Sequence, residues 1–193
     1  MQQKESYDVL RLIEHGQICY ISSENVQGRT LARYLKYHPV MEKKEMFLLL
    51  KAIAEQLELI HRCRGNPCYQ YVNPYSVIVG EDRKVYLLDL ASKEQEDMMH
   101  LMQRRYVREN FLSPENQYYQ KSEEKEDIYG FGKMIQYVLS SVELEPELKF
   151  LESVRIQKII TRCLDKQGKK RYQKLSDLSG QFSLSEKRME VKR

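Results

Sequence analysis

The sequence predicts an α+β fold, because strand-like and helix-like segments are segregated along the chain. An extended segment at residues 18–23 follows a Gly16-Gln17 turn, and a second pair of strands is predicted at residues 77–79 and 85–88. Most of the remaining chain has a helical pattern. With 193 residues, the protein has the size of one domain.

The longest predicted helix spans residues 42–61, where apolar residues recur three and four positions apart and so share one face. These residues are Met46, Leu49, Leu50, Ile53, Ala54, Leu57 and Ile60. A shorter helix is predicted between Thr30, a residue type that caps helices, and Pro39, which ends them. Three further helices are predicted to begin near Glu124, near Val154 and after Ser176.

Composition favours a soluble protein with a real core, since 41% of the residues are hydrophobic and 31% are charged. No apolar stretch approaches the roughly 18 residues that a membrane span needs, so none is expected. Residues 186–193 carry four basic and two acidic groups, half of the net charge of +4, and we expect them to be a solvated tail and not a nucleic-acid site. Without an export signal, the four cysteines are expected to stay reduced in the cytoplasm.

Five segments resemble motifs of the protein-kinase family, in the family's order and spacing. They are residues 26–31, residues 73–79 with Asp89-Leu90-Ala91 ten positions later, residues 111–115, residues 126–132 and residues 165–172. The resemblance implies a kinase-like fold with a mostly helical larger lobe at residues 29–185. It implies only a remnant of the smaller lobe, about two strands and the hinge, at residues 1–28, and a charged tail at residues 186–193.

The same resemblance places unsuitable side chains where a kinase keeps its catalytic groups. Tyr69, Gln70 and Tyr71 occupy the His-Arg-Asp positions, and a phenol with a pKa near 10 is a poor proton acceptor at neutral pH. Ser76 replaces the Asn that holds magnesium, and Asp89 is left as a vestigial metal ligand. No Gly-x-Gly-x-x-Gly loop occurs in the sequence. We therefore expect no cofactor, and ATP with Mg²⁺ only if Asp89 still supports weak activity.

Four positions keep the residue types that stabilise the kinase scaffold, namely Pro114, Glu115, Asp127 and Arg171. The resemblance implies an ion pair between Glu115 and Arg171. It also implies that Asp127 accepts hydrogen bonds from the backbone of the loop that contains Tyr71.

The leading hypothesis is a catalytically inactive kinase-like protein, a pseudokinase, that binds another protein or a second copy of itself. The main alternative is a divergent Ser/Thr kinase with weak activity or nucleotide sensing through Asp89; a Cys68–His61 nucleophile pair and a gene remnant without a role are lesser ones. One candidate surface is the face of the 77–88 hairpin, which truncation of the smaller lobe would leave uncovered. The other is a methionine- and arginine-containing segment, comprising Met98, Met99, Leu101, Met102, Arg104 and Arg105.

Overall fold

The computed structural model describes residues 5–16, 18–63, 69, 72–89, 110–114 and 123–190. Within these ranges the chain forms six strands and five α-helices. The strands are β1 (Ser6–His15), β2 (Ile18–Thr30), β3 (Val40–Glu42), β4 (Val77–Gly80), β5 (Val85–Leu88) and β6 (Glu143–Glu145). The helices are α1 (Leu31–Tyr37), α2 (Lys43–Cys63), α3 (Glu124–Ser141), α4 (Phe150–Cys163) and α5 (Leu175–Glu190).

Four of the strands close into an antiparallel barrel in the order β1-β2-β4-β5. The β1–β2 hairpin turns at residues 16–17, where Gly16 adopts a φ of +64°, a backbone conformation that glycine tolerates. β2 then pairs with β4, with Gly28 opposite Gly80, and β1 pairs with β5, with Val9 opposite Leu88. Strands β3 and β6 form a separate two-stranded parallel sheet.

The barrel shows that the predicted kinase-like architecture was wrong. The protein is a small α+β domain built around this barrel, and not a kinase-like larger lobe with a remnant of a smaller one. The reason is physical: β1 and β2 are long enough, at 10 and 13 residues, to pair with each other and also with both strands of the 77–88 hairpin. These hydrogen bonds run across the boundary predicted at residue 28, joining Arg29 to Val79.

Barrel closure also contradicts the expectation that the 77–88 hairpin exposes apolar groups. Val77, Ile78, Leu87 and Leu88 are each at most 1% exposed. The chain itself covers this hairpin, with β1 and β2 on its edges and α2 packed against β5. The hairpin therefore offers no reason for a second copy of the chain to dock there.

Helix α2 confirms the long helix predicted from its apolar periodicity. All seven residues of the predicted face are at most 8% exposed, and the helix packs against β5, α3 and α5. Helix α3 can approach α4 closely because of Gly132, where an added Cβ would lie 2.6 Å from Cys163 Cβ. The predicted cap of α1 is likewise confirmed, since Thr30 Oγ1 accepts a hydrogen bond from the Arg33 N–H at 3.3 Å.

Helix α4 begins four residues earlier than predicted. The backbone N–H of Lys149 donates to Glu152 Oε2 at 2.8 Å, which satisfies one amide at the start of the helix. Phe150 and Leu151, in the first turn, are 80% and 77% exposed and so do not continue the apolar face formed by Ile156 and Ile159. Since the periodic pattern reports only the buried face, it missed this exposed first turn.

Candidate functional site

Tyr69 joins the end of the barrel to helix α3. Its ring is buried, its backbone N–H donates to the carboxylate of Asp127, and its hydroxyl donates to the carbonyl oxygen of Leu88 at 3.0 Å. Gly130 permits this approach, because an added Cβ there would lie 3.0 Å from Val72 Cβ. Gln70 and Tyr71, the other two positions of the predicted degenerate motif, lie outside the described residues.

The turn that contains Ser76 is stabilised by its own side chains. Asn73 Oδ1 accepts hydrogen bonds from the N–H groups of Tyr75 and Ser76, at 2.9 and 3.2 Å. The Ser76 hydroxyl donates to the Asn73 carbonyl at 3.0 Å and accepts from the Asn73 N–H at 3.2 Å. Such local bonds between side chain and backbone are typical of Asn and Ser in turns. Both polar side chains of the turn are thus used to define its shape.

Asp89 follows directly after β5 and is 8% exposed. Its backbone N–H donates to the carbonyl oxygen of Asp8 at 3.2 Å, which extends the pairing between β5 and β1 by one residue. Within the ranges that the structure describes, no group of three or more His, Cys, Asp or Glu side chains could hold a metal ion.

Asp127 lies at the centre of a buried polar cluster. Besides accepting from Tyr69, its Oδ2 lies 2.7 Å from His61 Nε2, in a hydrogen bond between α3 and the end of α2. His61 Nδ1 lies 3.3 Å from Glu124 Oε1, an ion-pair contact without hydrogen-bond geometry. Glu124 Oε1 in turn accepts from the backbone N–H of Leu175 at 2.8 Å, so the cluster reaches the start of α5.

The electrostatics of the cluster favour a charged His61. Burial by itself would lower the pKa of the imidazole, whose side chain is 5% exposed. The hydrogen bond to Asp127 and the negative charges of Asp127 and Glu124 outweigh that effect, so the pKa of His61 lies above its usual value of 6.5. A protonated imidazole between two carboxylates makes the cluster a charge-assisted junction of α2, α3 and the Tyr69 loop.

Arg171 is buried beneath the start of α3. Its Nε donates to the Asp165 carbonyl at 2.8 Å and its Nη1 donates to the Lys125 carbonyl at 3.3 Å, while the guanidinium lies 4.9 Å from the ring centre of Tyr129. The position of Glu115, its predicted partner, lies outside the described residues, so the ion pair stays a prediction. Pro114 is described and exposed.

The predicted methionine- and arginine-containing surface lies outside the described residues as well. This applies to all six of its members, Met98, Met99, Leu101, Met102, Arg104 and Arg105.

In the structure, Tyr69 and Arg171 both contact α3, the helix that contains Asp127. The polar cluster also includes His61, whose role the sequence did not predict. His61 was considered there only as a possible partner of Cys68, which lies outside the described residues. One signal was present: His61 follows Leu57 by four positions and so continues the apolar face of α2. A histidine on a buried face usually has a polar partner.

The described helices include none long and apolar enough to span a membrane.

Comparison with known proteins supports a kinase-like relationship and nothing finer. No protein-family model matches the chain. Over 191 residues, the chain is 22% identical to a probable serine/threonine-protein kinase of Clostridium acetobutylicum. The similar region covers 87% of this chain but only 29% of that protein.

Proposed function

We propose that the chain is a pseudokinase: a kinase-related protein that does not transfer phosphoryl groups and acts in the cytoplasm by binding another protein. The observation that carries this proposal is the use of Tyr69 and Ser76 in structural hydrogen bonds. Both stand at positions where the resemblance expects catalytic or metal-binding groups. Both hydroxyls instead donate to backbone carbonyls, of Leu88 and Asn73 respectively.

Phosphoryl transfer needs groups that position the nucleophile and neutralise developing charge. The Tyr69 side chain is buried, and its hydroxyl lies 3.0 Å from the Leu88 carbonyl oxygen. Releasing it would leave a buried carbonyl without this donor, at a cost of about 1–3 kcal/mol. By sequence Tyr71 supplies a phenol where a kinase has a carboxylate. These features favour a loop with a structural role over a loop that performs chemistry.

Magnesium binding is also poorly supported by the residues present. A kinase holds its metal ions with an Asp and an Asn, whereas this chain has Asp89 and Ser76. The Ser76 hydroxyl already bonds the Asn73 backbone in both directions. Asp89 would then have to act without the second ligand, so the pair does not fit a magnesium–nucleotide site. We therefore propose that no nucleotide cofactor is required.

The competing function is phosphoryl transfer through Asp89. It is favoured by the description of the Clostridium acetobutylicum relative as a probable serine/threonine-protein kinase. The segment that matches this chain makes up only 29% of that protein, which is therefore more than three times as long as the segment. Its activity can therefore depend on residues that have no counterpart here.

Two measurements separate these functions. The purified chain is incubated with radiolabelled ATP, Mg²⁺ and a generic acceptor such as myelin basic protein, and its thermal unfolding is recorded with and without Mg-ATP. We expect no label transfer above background and no saturable increase in Tm. Label transfer or stabilisation that is lost in Asp89→Asn, but kept in the exposed control Asp177→Asn, would establish the enzyme or a nucleotide sensor instead.

A further inference from the structure

An exposed apolar pair marks the start of α4. Phe150 and Leu151 are adjacent in the first turn, and they are 80% and 77% exposed. Single exposed apolar residues are common on protein surfaces, but adjacent aromatic and aliphatic side chains with this exposure leave a contiguous apolar patch. Covering such side chains with a partner removes apolar surface from water, which favours binding.

A groove of about 700 Å³ lies beside Phe150. Phe150 lines it together with Val154 and Gln157 from the exposed side of α4, and Lys170 from the short 3₁₀ turn Gly168–Lys170 lines it as well. A concave surface of this volume fits side chains of a peptide segment, and its apolar end would receive one hydrophobic residue.

The groove carries an excess of positive charge. Lys158, Arg162 and Lys170 line it against a single carboxylate, that of Asp165. Asp165 Oδ1 already accepts from the backbone N–H of Gln167 at 2.8 Å. Arg162 lies over the ring of Tyr172, 4.1 Å from its centre.

The neighbouring residues strengthen this excess. Lys166 and Lys169 follow in the same loop and are exposed. The nearby carboxylate of Glu152 accepts instead from Nζ of Lys43, the first residue of α2, at 2.8 Å. Among the described residues, no carboxylate pairs with the ammonium groups of Lys158 or Lys170.

We propose that this groove, defined by Phe150, Val154, Lys158, Arg162 and Lys170, is the docking surface for an acidic protein segment with one apolar anchor residue. The inference rests on the proposed function, because it names the surface and the kind of partner for the protein-binding role. Charge complementarity identifies the occupant as acidic, and the apolar end requires a hydrophobic side chain between the acidic ones.

The shape and chemistry of the groove favour a protein segment over a lipid surface or a nucleic acid. Membrane-binding helices present an apolar face that enters the bilayer, whereas here Phe150 and Val154 line a concavity. Nucleic-acid backbones satisfy cations but leave an aliphatic side chain such as Val154 without a role. A peptide segment would contact both the apolar residues and the basic residues of the groove.

The test uses fluorescence anisotropy with short synthetic peptides. The probe is a labelled peptide of glutamate and serine with one central leucine. Its controls are the same peptide with serine in place of leucine and the same peptide with lysine in place of glutamate. The protein variants are Phe150→Ser and Lys170→Glu, with matched controls Ile18→Ser, at a barrel position that is 58% exposed, and Lys36→Glu on α1.

We expect saturable binding of the glutamate–leucine peptide to the full chain, weakened by salt. Phe150→Ser should weaken it about tenfold, because the anchor loses its apolar partner. Lys170→Glu should weaken it about fivefold through loss of one attraction and gain of one repulsion. The two control variants should bind like the natural sequence. Since the substituted side chains are exposed, all four variants should unfold at the same urea concentration as the natural chain.

The proposal is overturned if the glutamate–leucine peptide does not bind, if the lysine peptide binds equally well, or if Phe150→Ser and Lys170→Glu leave binding unchanged. It is also overturned if phosphatidylserine vesicles or duplex RNA bind the groove, as judged by the same variants, while the peptide does not. None of these outcomes concerns phosphoryl transfer. Label transfer from ATP would refute the pseudokinase proposal but would say nothing about peptide binding. Failure of the pseudokinase proposal and failure of the docking proposal are therefore distinguishable.

Discussion

The His61–Asp127 cluster makes the stability of the protein depend on pH in a specific direction. The pKa of His61 is raised in the folded protein, mainly because the hydrogen bond and charge of Asp127, with the charge of Glu124, overcome the effect of burial. A group with a raised folded pKa contributes stability that is complete below the unfolded value. That contribution is lost as pH rises through the folded value.

The magnitude follows from proton linkage and from the burial of the pair. Between pH 6.5, the usual value, and the raised pKa of His61, the free energy of unfolding should fall by up to about 1.4 kcal/mol per pH unit. The Asp127 and His61 side chains are 1% and 5% exposed. Removing one charge of such a pair costs about 3–5 kcal/mol. Asp127→Asn should lower the free energy of unfolding by about 3 kcal/mol, because the amide oxygen can still accept from the Tyr69 N–H.

The assay is urea unfolding followed by circular dichroism at several pH values, from about 5.5 to about 8.5. The natural chain should lose stability across this range, and His61→Gln should remove most of that slope. His15→Gln is the matched control, because His15 lies in β1 and is exposed. It should leave the slope unchanged.

Two results would refute this reasoning. One is a pH slope in His61→Gln equal to that of the natural chain, which would assign the titration to other groups. The other is an Asp127→Asn protein with unchanged stability at low pH, which would mean that the buried hydrogen bonds contribute nothing net.

Two further predictions concern packing and charge. Gly132→Ala should destabilise the protein by about 1–3 kcal/mol in the same urea assay, because its Cβ would lie 2.6 Å from Cys163 Cβ. Gly180→Ala is the matched control: an added Cβ there meets open space, so this variant should stabilise α5 by about 0.5–1 kcal/mol. Lys43→Ala should cost about 1–2 kcal/mol near neutral pH, since it removes the 2.8 Å bond to Glu152. Burial alone would raise the pKa of Glu152, but the hydrogen bonds of Lys43 and the Lys149 amide lower it. The stability that this ion pair contributes should therefore be lost as pH falls below 4.5. Because Lys43→Ala lacks the ion pair, its free energy of unfolding should decrease less than that of the natural chain over this acidic range.

Local elements of the fold were predictable because their causes are local. The apolar face of α2, the cap at Thr30 and the strands around the 80–84 turn each depend on residues a few positions apart. Barrel closure depends instead on pairing between Val9 and Leu88, which are far apart in sequence. Alternation of apolar residues shows that a strand has a buried face, but it does not identify the strand beside it.

The candidate site shows the same division. Sequence motifs located Tyr69, Ser76, Asp89, Asp127 and Arg171, and the resemblance implied backbone hydrogen bonds to Asp127. They gave no information on the hydrogen bond from the Tyr69 hydroxyl to Leu88 or on the contact between His61 and Asp127. Those contacts join residues up to 66 positions apart and depend on how α2 and α3 pack. Position in a motif therefore identified the residues, whereas their partners required the tertiary structure.

The evidence for a relationship to kinases and the evidence on catalytic activity come from different parts of the protein. The kinase-like relationship is supported by similarity spread over 87% of the chain. Phosphoryl transfer would depend on a few side chains near Asp89, where the hydroxyls of Tyr69 and Ser76 instead bond backbone carbonyls. Because those few side chains contribute little to overall identity, a relationship to kinases does not imply catalysis. The Asp89→Asn experiment addresses the second question, and no degree of sequence similarity substitutes for it.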